Sequence, residues 1–179
     1  MDDLAKYLYC SAIFEEEVAK AYQNVSEKVS EKEIAYLLEY IAKDSFKHAA
    51  AFKALNTHLT HQIDCGDCVK IMGEAWMKTV KEAKRYAVRE DEVTLSELKR
   101  ILQEFESYEG YASEEYLTIL YTEVVKLLTN KYHIGLQNYK TVLEWVIEDE
   151  KRHIQLITFM KSRIAEQDQR QSDPTTTCF

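Results

Sequence analysis

Glu150 and His153 stand three residues apart on the line Leu136, Leu143, Val146, Glu150, His153, Ile157, Met160, Ile164. Once under way, the line steps by three and four, the spacing that keeps side chains on one face of an α-helix. A carboxylate and an imidazole on an otherwise apolar face need a partner, because isolated buried charge is costly unless it is paired or coordinates a metal. Glu-x-x-His on an inward helical face is a metal-ligand arrangement. The first half of the chain carries an incomplete second copy.

Around His48 the chain reads Ile41-Ala42-Lys43-Asp44-Ser45-Phe46-Lys47-His48, and around His153 it reads Val146-Ile147-Glu148-Asp149-Glu150-Lys151-Arg152-His153. Asp matches Asp and His matches His, with Ser45 standing where Glu150 stands. One element earlier in each half, Glu15, Val18 and Tyr22 match Glu109, Ala112 and Tyr116 at the same offsets. Each half thus offers an inward Glu on one helix and a His on the next. Carboxylates neutralise the charge of a transition-metal pair and can bridge it, while neutral imidazoles complete the coordination. Helical bundles build such dimetal sites from a Glu on each of two helices and Glu-x-x-His on each of the other two.

The elements that would position these residues are all helical. The chain has 179 residues, with only four Gly and one Pro, the latter at position 174, so helix breakers are scarce over residues 1–173. The first helix is expected from about Asp3 to Lys28, with Leu4, Leu8, Ser11, Glu15, Val18, Tyr22, Val25 and Val29 on its inner line. Ser30, with Glu33 three residues on, reads as a capping box for a second helix that ends near His61. A third helix is expected over Asp67–Val88. A fourth, capped by Thr94 or Ser96, is expected over Leu95–Thr129, and after a turn at Asn130–His133 a last one over Gly135–Glu166. Residues 1–166 read as one domain, with a connection over 62–93 that carries the extra helix. Gln167 to Phe179 is polar and unpatterned, and disorder is expected there. The architecture is all-α: a four-helix bundle with a long crossover.

At this point the sequence resembles the ferritin-like family, and within it the rubrerythrin-type branch of diiron-carboxylate proteins. The resemblance covers both helix pairs, roughly residues 3–61 and 95–166, and leaves out the helix at 67–88. It implies that Glu15 and Glu109 are terminal carboxylates, that Glu150 bridges, and that His48 and His153 are the imidazole ligands. It also implies iron as the cofactor, as two ions, with Mn or Zn as the other divalent candidates. Relatives oxidise ferrous iron, reduce peroxide or activate O2, so an oxidoreductase acting on peroxide or O2 with an external electron donor is expected. Bundles of this type often pair, and a homodimer is the expected assembly. Two alternatives are a ferroxidase-type iron-storage protein and a degenerate, non-catalytic bundle with a partial metal site.

The departure is Ser45, where the family pattern has a second bridging Glu. Asp44 is a possible substitute ligand, about 40° from His48 around the helix at 3.6 residues per turn. Its counterpart Asp149 sits beside an intact Glu150, however, and that parallel favours a role for both aspartates in holding an imidazole N–H. Glu16 and Glu17 fall about 100° and 200° off Glu15 and read as solvated, with Glu16 the alternative ligand. Tyr22 and Tyr116 either pack their rings with the hydroxyl bonded to a neighbour, or donate to a ligand carboxylate.

Charge and cysteine usage bound the rest. A net charge of −8 argues against a nucleic-acid partner. No run of about 20 apolar residues is present, so no membrane span is expected. Met1-Asp2-Asp3 lacks the layout of a signal peptide, and a cytoplasmic location is expected. Four cysteines are too few and scattered for a disulfide framework. Cys65-x-x-Cys68 reads as a redox pair, as inert thiols, or, with His58 and His61 upstream, as a zinc site.

Overall fold

The computed structural model describes residues 2–55, 65–118 and 136–172. These form five helices: α1 (Asp2–Lys28), α2 (Lys32–Leu55), α3 (Cys65–Ala87), α4 (Leu95–Thr118) and α5 (Leu136–Ser172). No strand occurs among the described residues; the only extended pairing is an isolated parallel bridge between Val29 and Val93. There Val93 N–H donates to the Lys28 carbonyl at 2.9 Å, tying the end of α1 to the approach to α4. Helix α1 packs on α2 and α3, α4 packs on α5, and α2 meets α5. The parts of the expected helices at 56–64 and 119–135, including His58, His61 and the Asn130–His133 turn, lie outside the described residues.

The inner lines read from the sequence on α1, α2, α4 and α5 are largely the buried ones, while α3 buries Cys68, Met72, Trp76, Val80, Ala83 and Tyr86 rather than the expected line of Val69, Gly73, Trp76, Val80 and Ala87. Leu8, Val18, Tyr22 and Val25 of α1, Leu38, Ile41 and Phe52 of α2, and Leu98, Leu102, Phe105 and Tyr116 of α4 are all essentially inaccessible. Leu143, Val146, Ile157, Met160 and Ile164 complete the core from α5. Phe105 is its centre. Its ring meets Tyr22 at 4.3 Å, Tyr86 at 5.6 Å and Tyr108 at 5.6 Å between centroids, so α1, α3 and α4 converge on one side chain. Burying an aromatic of this size contributes about 2–3 kcal/mol, with aromatic pairs adding on the order of 1 kcal/mol each.

Helix starts and ends differ in detail from the sequence reading. Thr94 caps α4: its Oγ1 accepts from Glu97 N–H at 3.3 Å, and Glu97 Oε2 accepts from Thr94 N–H at 3.2 Å, a reciprocal capping box. Helix α2 starts later than the Ser30 box requires. Its first backbone bond runs from Ala35 N–H to Glu31 O at 2.9 Å, which makes Glu31 the residue before the helix. Helix α5 continues past Glu166 to Ser172, correcting the expected tail at 167–172. Gln167 there donates to Glu31 at 3.3 Å, and polar residues such as Gln and Arg are good helix formers that need no apolar stripe to propagate. Residues 173–179 lie outside the described part.

Helix α3 is broken rather than continuous. Gly73 sits at φ 82°, ψ −179°, a conformation open essentially to glycine alone. The Met72 carbonyl beside the break accepts from Tyr111 Oη at 3.3 Å. The far end of α3 is held by Asn24, whose side-chain amide donates to the carbonyls of Tyr86 (2.7 Å) and Arg89 (2.9 Å). A covalent tie anchors the near end. Cys10 of α1 and Cys68 of α3 form a disulfide, both fully buried, with Cα atoms 5.4 Å apart.

That bond takes Cys68 out of all three readings of Cys65-x-x-Cys68, as a redox pair with Cys65, as an inert thiol and as a zinc ligand. Cys10 faces α3 from the opposite side of α1's site-bearing face, a partnership that only the packing of the two helices creates. Disulfides persist in oxidising surroundings and are rare in the cytosol, which weighs against the cytoplasmic location expected from the N-terminal sequence. The bond spans 58 residues of chain. Closing a loop of that length removes unfolded-state entropy worth about 4 kcal/mol in the chain-entropy account. Denaturant unfolding with and without dithiothreitol is therefore expected to show a loss of stability of up to about 4 kcal/mol on reduction; identical midpoints would contradict the pairing.

Candidate metal centre

The four bundle helices each place polar side chains at one level of the core. Glu15 (α1), His48 (α2), Glu109 (α4), and Glu150 and His153 (α5) are all no more than 2% exposed. They form two groups able to hold a metal ion: Glu15, His48 and Glu150 in one, and Glu109, Glu150 and His153 in the other. Within each group the ligand atoms lie within 4.8 Å of one another. Glu150 belongs to both. Its Oε1 is 2.9 Å from His48 Nδ1 and its Oε2 is 3.8 Å from His153 Nδ1, so the two oxygens face the two imidazoles. The rings stack with centroids 5.8 Å apart.

The supports of these groups cross between the halves. Tyr22 of the first half donates to Glu109 Oε1 of the second, and Tyr116 of the second donates to Glu15 Oε1 of the first. The second oxygen of each Glu faces a histidine of its own half: Glu15 Oε2 is 3.7 Å from His48 Nδ1, and Glu109 Oε2 is 3.0 Å from His153 Nδ1. On the outer side, His48 Nε2 meets Asp149 Oδ2 at 3.1 Å and His153 Nε2 meets Asp44 Oδ2 at 3.4 Å. A carboxylate in this role accepts, so each Nε2 carries its proton and Nδ1 is the nitrogen turned inward. Aspartates that fix imidazole tautomers in this way are a recurring feature of metal sites.

Of the residues picked from sequence, the structure brings Glu15, His48, Glu109, Glu150 and His153 together. Asp44 falls outside both groups. Its carboxylate is taken by His153 Nε2 and by Lys47 Nζ at 2.8 Å, because an Asp side chain is too short to reach inward from that position. Glu16 is turned out and paired with Lys53 and Lys20, and the Lys53 contact holds its pKa below the usual value. Tyr22 and Tyr116 are donors to ligand carboxylates as well as packed rings. Sequence reasoning passed over the basic residue before each histidine. Lys47 bridges Asp44 and Asp149 (2.8 and 3.1 Å), and Arg152 binds Asp149 at 2.6 Å. The repeat itself carried that signal, in Lys47-His48 against Arg152-His153.

The electrostatics of the cluster are those of charges held apart from water. Burial opposes a charge on His48, yet the carboxylates of Glu15 and Glu150 outweigh it and raise its pKa to about 10. Burial likewise opposes His153, and Glu109 with Asp44 raises it to about 12. Burial and the charges of Glu15 and Glu109 push Glu150 up to about 8. Burial would raise Glu109 too, but the charge of His153 brings it below the usual value. Burial and the adjacent carboxylates push both Tyr22 and Tyr116 well above the ordinary phenol range, so they act as neutral donors.

One corner is incompletely satisfied. Ser45 Oγ is buried with no partner, and His48 Nδ1 and Glu150 Oε1, an ion pair at 2.9 Å, lack hydrogen-bond geometry. Leaving such a group unpaired costs about 1–3 kcal/mol, and a coordinated cation would engage the last two. The donor set therefore fits a metal ion: carboxylate and imidazole suit Fe, Mn and Zn alike.

In comparisons with known proteins, no family model, no curated protein and no solved structure significantly matches the chain. The chemistry of the site rests on its own geometry. No described helix is long and apolar enough to cross a membrane.

Because His48 and His153 are held protonated by their carboxylates, coordination through Nδ1 must displace protons. Metal uptake at neutral pH is expected to release protons to the buffer, and affinity is expected to rise with pH toward the raised histidine values of about 10 and 12. Calorimetric titrations in buffers of different ionisation enthalpy read this directly; a heat independent of buffer would refute it.

Proposed function

We propose that this protein is a ferritin-like dinuclear metal protein, with iron as the resident metal and peroxide or O2 as its substrate. The observation that carries the proposal is the sharing of Glu150 between two buried Glu/His groups that are otherwise mirrored across the halves of the chain. A carboxylate with one oxygen toward each imidazole suits a bridge between two ions. The connection through α3 takes the place of the long crossover in such bundles.

The chain's own residues have distinct tasks in this reading. Asp149 and Asp44 retain the Nε2 protons, so that Nδ1 of His48 and His153 is the atom offered to metal. Tyr116 and Tyr22 hold one oxygen of Glu15 and of Glu109, leaving the other directed at the histidine of the same group. Lys47 and Arg152 offset the outward aspartates without entering the core. Burial excludes bulk water and strengthens each of these interactions. Iron bound here would supply electron transfer to peroxide or O2, with an external reductant completing turnover.

Iron handling as storage is the nearest alternative within the same chemistry. It needs a many-subunit cage, so a monomer or dimer by light scattering excludes it and a large closed assembly favours it. A site that has lost its metal is the other reading, motivated by Ser45.

Anaerobic loading with ferrous iron followed by elemental analysis separates these cases. Wild-type protein is expected to retain iron, and Glu150→Ala to lose most of it, because one substitution removes a ligand from both groups. Asp149→Asn, which weakens the hold on His48 while leaving the ligands in place, is expected to weaken metal binding about 10- to 100-fold. Equal, near-zero metal in wild type and Glu150→Ala would overturn the proposal.

A further inference from the structure

The two halves of the site mirror each other in their Tyr–Glu, Glu–His and His–Asp pairings, and the ligand position at which they differ is Ser45. On the Glu109 side the contacts close: one oxygen accepts from Tyr22, and the other meets His153. On the opposite side Ser45 Oγ is buried with no partner, and His48 Nδ1 and Glu150 Oε1 face each other without hydrogen-bond geometry. Ser45 and His48 are neighbours one helical turn apart on the inner face of α2, each about 1% exposed, and His48 Nδ1 is 2.9 Å from Glu150 Oε1.

A cation alone does not complete this corner. It engages His48 and Glu150 but gives the Ser45 hydroxyl no acceptor. Glu15, Glu109 and Glu150 also balance only three of the four positive charges that two divalent ions bring. Asp44 is not the missing charge, since its carboxylate is spent on His153 and Lys47. Water would accept from Ser45 yet leave the charge unbalanced. An anion answers both deficits, and Ser45 is shorter than the Glu that stands at the matching position of the repeat by a carboxyl group.

Resting on the metal-site reading above, we propose that the corner formed by Ser45, His48 and Glu150 binds a small exogenous oxyanion of the carboxylate or carbonate class as co-ligand to the ion held by Glu15 and His48. Ser45 Oγ–H donates to the anion, and the anion supplies the negative charge that the repeat supplies with Glu150 in the other half. The ion on this side and the anion then bind cooperatively, each tightening the other by the same factor. The ion at Glu109 and His153 is the less dependent of the two, because its own half is complete.

Titration of cobalt(II) into the full chain tests this, with the visible d–d bands reporting coordination and elemental analysis reporting stoichiometry. Chloride, formate and bicarbonate are compared at matched ionic strength, the last two separating a carboxylate from a carbonate. In wild type the second cobalt is expected to bind about tenfold more tightly with formate or bicarbonate than with chloride, with a change in the d–d bands. Ser45→Ala is expected to shrink that effect to about threefold or less. Ser45→Glu is expected to take two cobalt ions with no dependence on the added anion. Wild-type affinity and spectra unchanged by either anion overturn the proposal while leaving the metal site intact if Ser45→Glu still takes two ions. Retention of the full anion effect in Ser45→Ala overturns it as well. Failure of both wild type and Ser45→Glu to bind cobalt under any condition overturns the metal reading itself.

Discussion

Three carboxylates and two imidazoles occupy one level of a core that is otherwise aliphatic and aromatic. Everything around them answers the cost of that burial. Each charged group removed from water needs opposite charge or a full set of hydrogen bonds. The structure meets that need by pairing Glu15 and Glu109 each with a His and a Tyr, setting Glu150 between the two His, and backing every His with an Asp on its far side. The raised pKa values of His48 and His153 follow from this arrangement, as does the neutral state of the two tyrosines.

The crossed supports make the two halves interdependent. Tyr22 and Glu109, Tyr116 and Glu15, His48 and Asp149, and His153 and Asp44 each join one half of the chain to the other. Neither helix pair therefore completes a site alone, and packing of α2 against α5 is a condition for the chemistry. Phe105 sits beside this network and draws α3 into the same core through Tyr86. The disulfide between Cys10 and Cys68, the Asn24 cap and the Tyr111 bond to Met72 hold α3 against the bundle. Rigid walls of this kind suit a site whose ligands must keep fixed positions while charge changes.

The symmetry also exposes what is missing. Ser45 is the ligand position where the halves disagree, and the atoms of the site without hydrogen-bond geometry gather on its side. The asymmetry lies between the two Glu/His groups, and it comes from the side chain rather than from the backbone, since α2 and α5 place their aspartates and histidines alike.

Much of this was legible in the sequence because helical periodicity and an internal repeat are local properties of the chain. The inner lines of α1, α2, α4 and α5 and the ligand candidates on them follow from spacing at 3.6 residues per turn, whereas the choice of Thr94 over Ser96 as the α4 cap came from the structure. The parallel between Asp44 and Asp149 likewise pointed to imidazole support. The repeat did not say which half's Asp meets which His, because that depends on how α2 and α5 face each other. Nor did spacing choose between Cys65 and Cys10 as the partner of Cys68; helix α3 had to be laid against α1, with 58 residues between the bonded cysteines. The break at Gly73 was hidden for the same reason, since a glycine inside a helical pattern bends only when its neighbours, here Tyr111, reward the bend. Local pattern determined the helices and the ligand types, while their pairing, an effect of distance in space and not along the chain, was decided only by the tertiary structure.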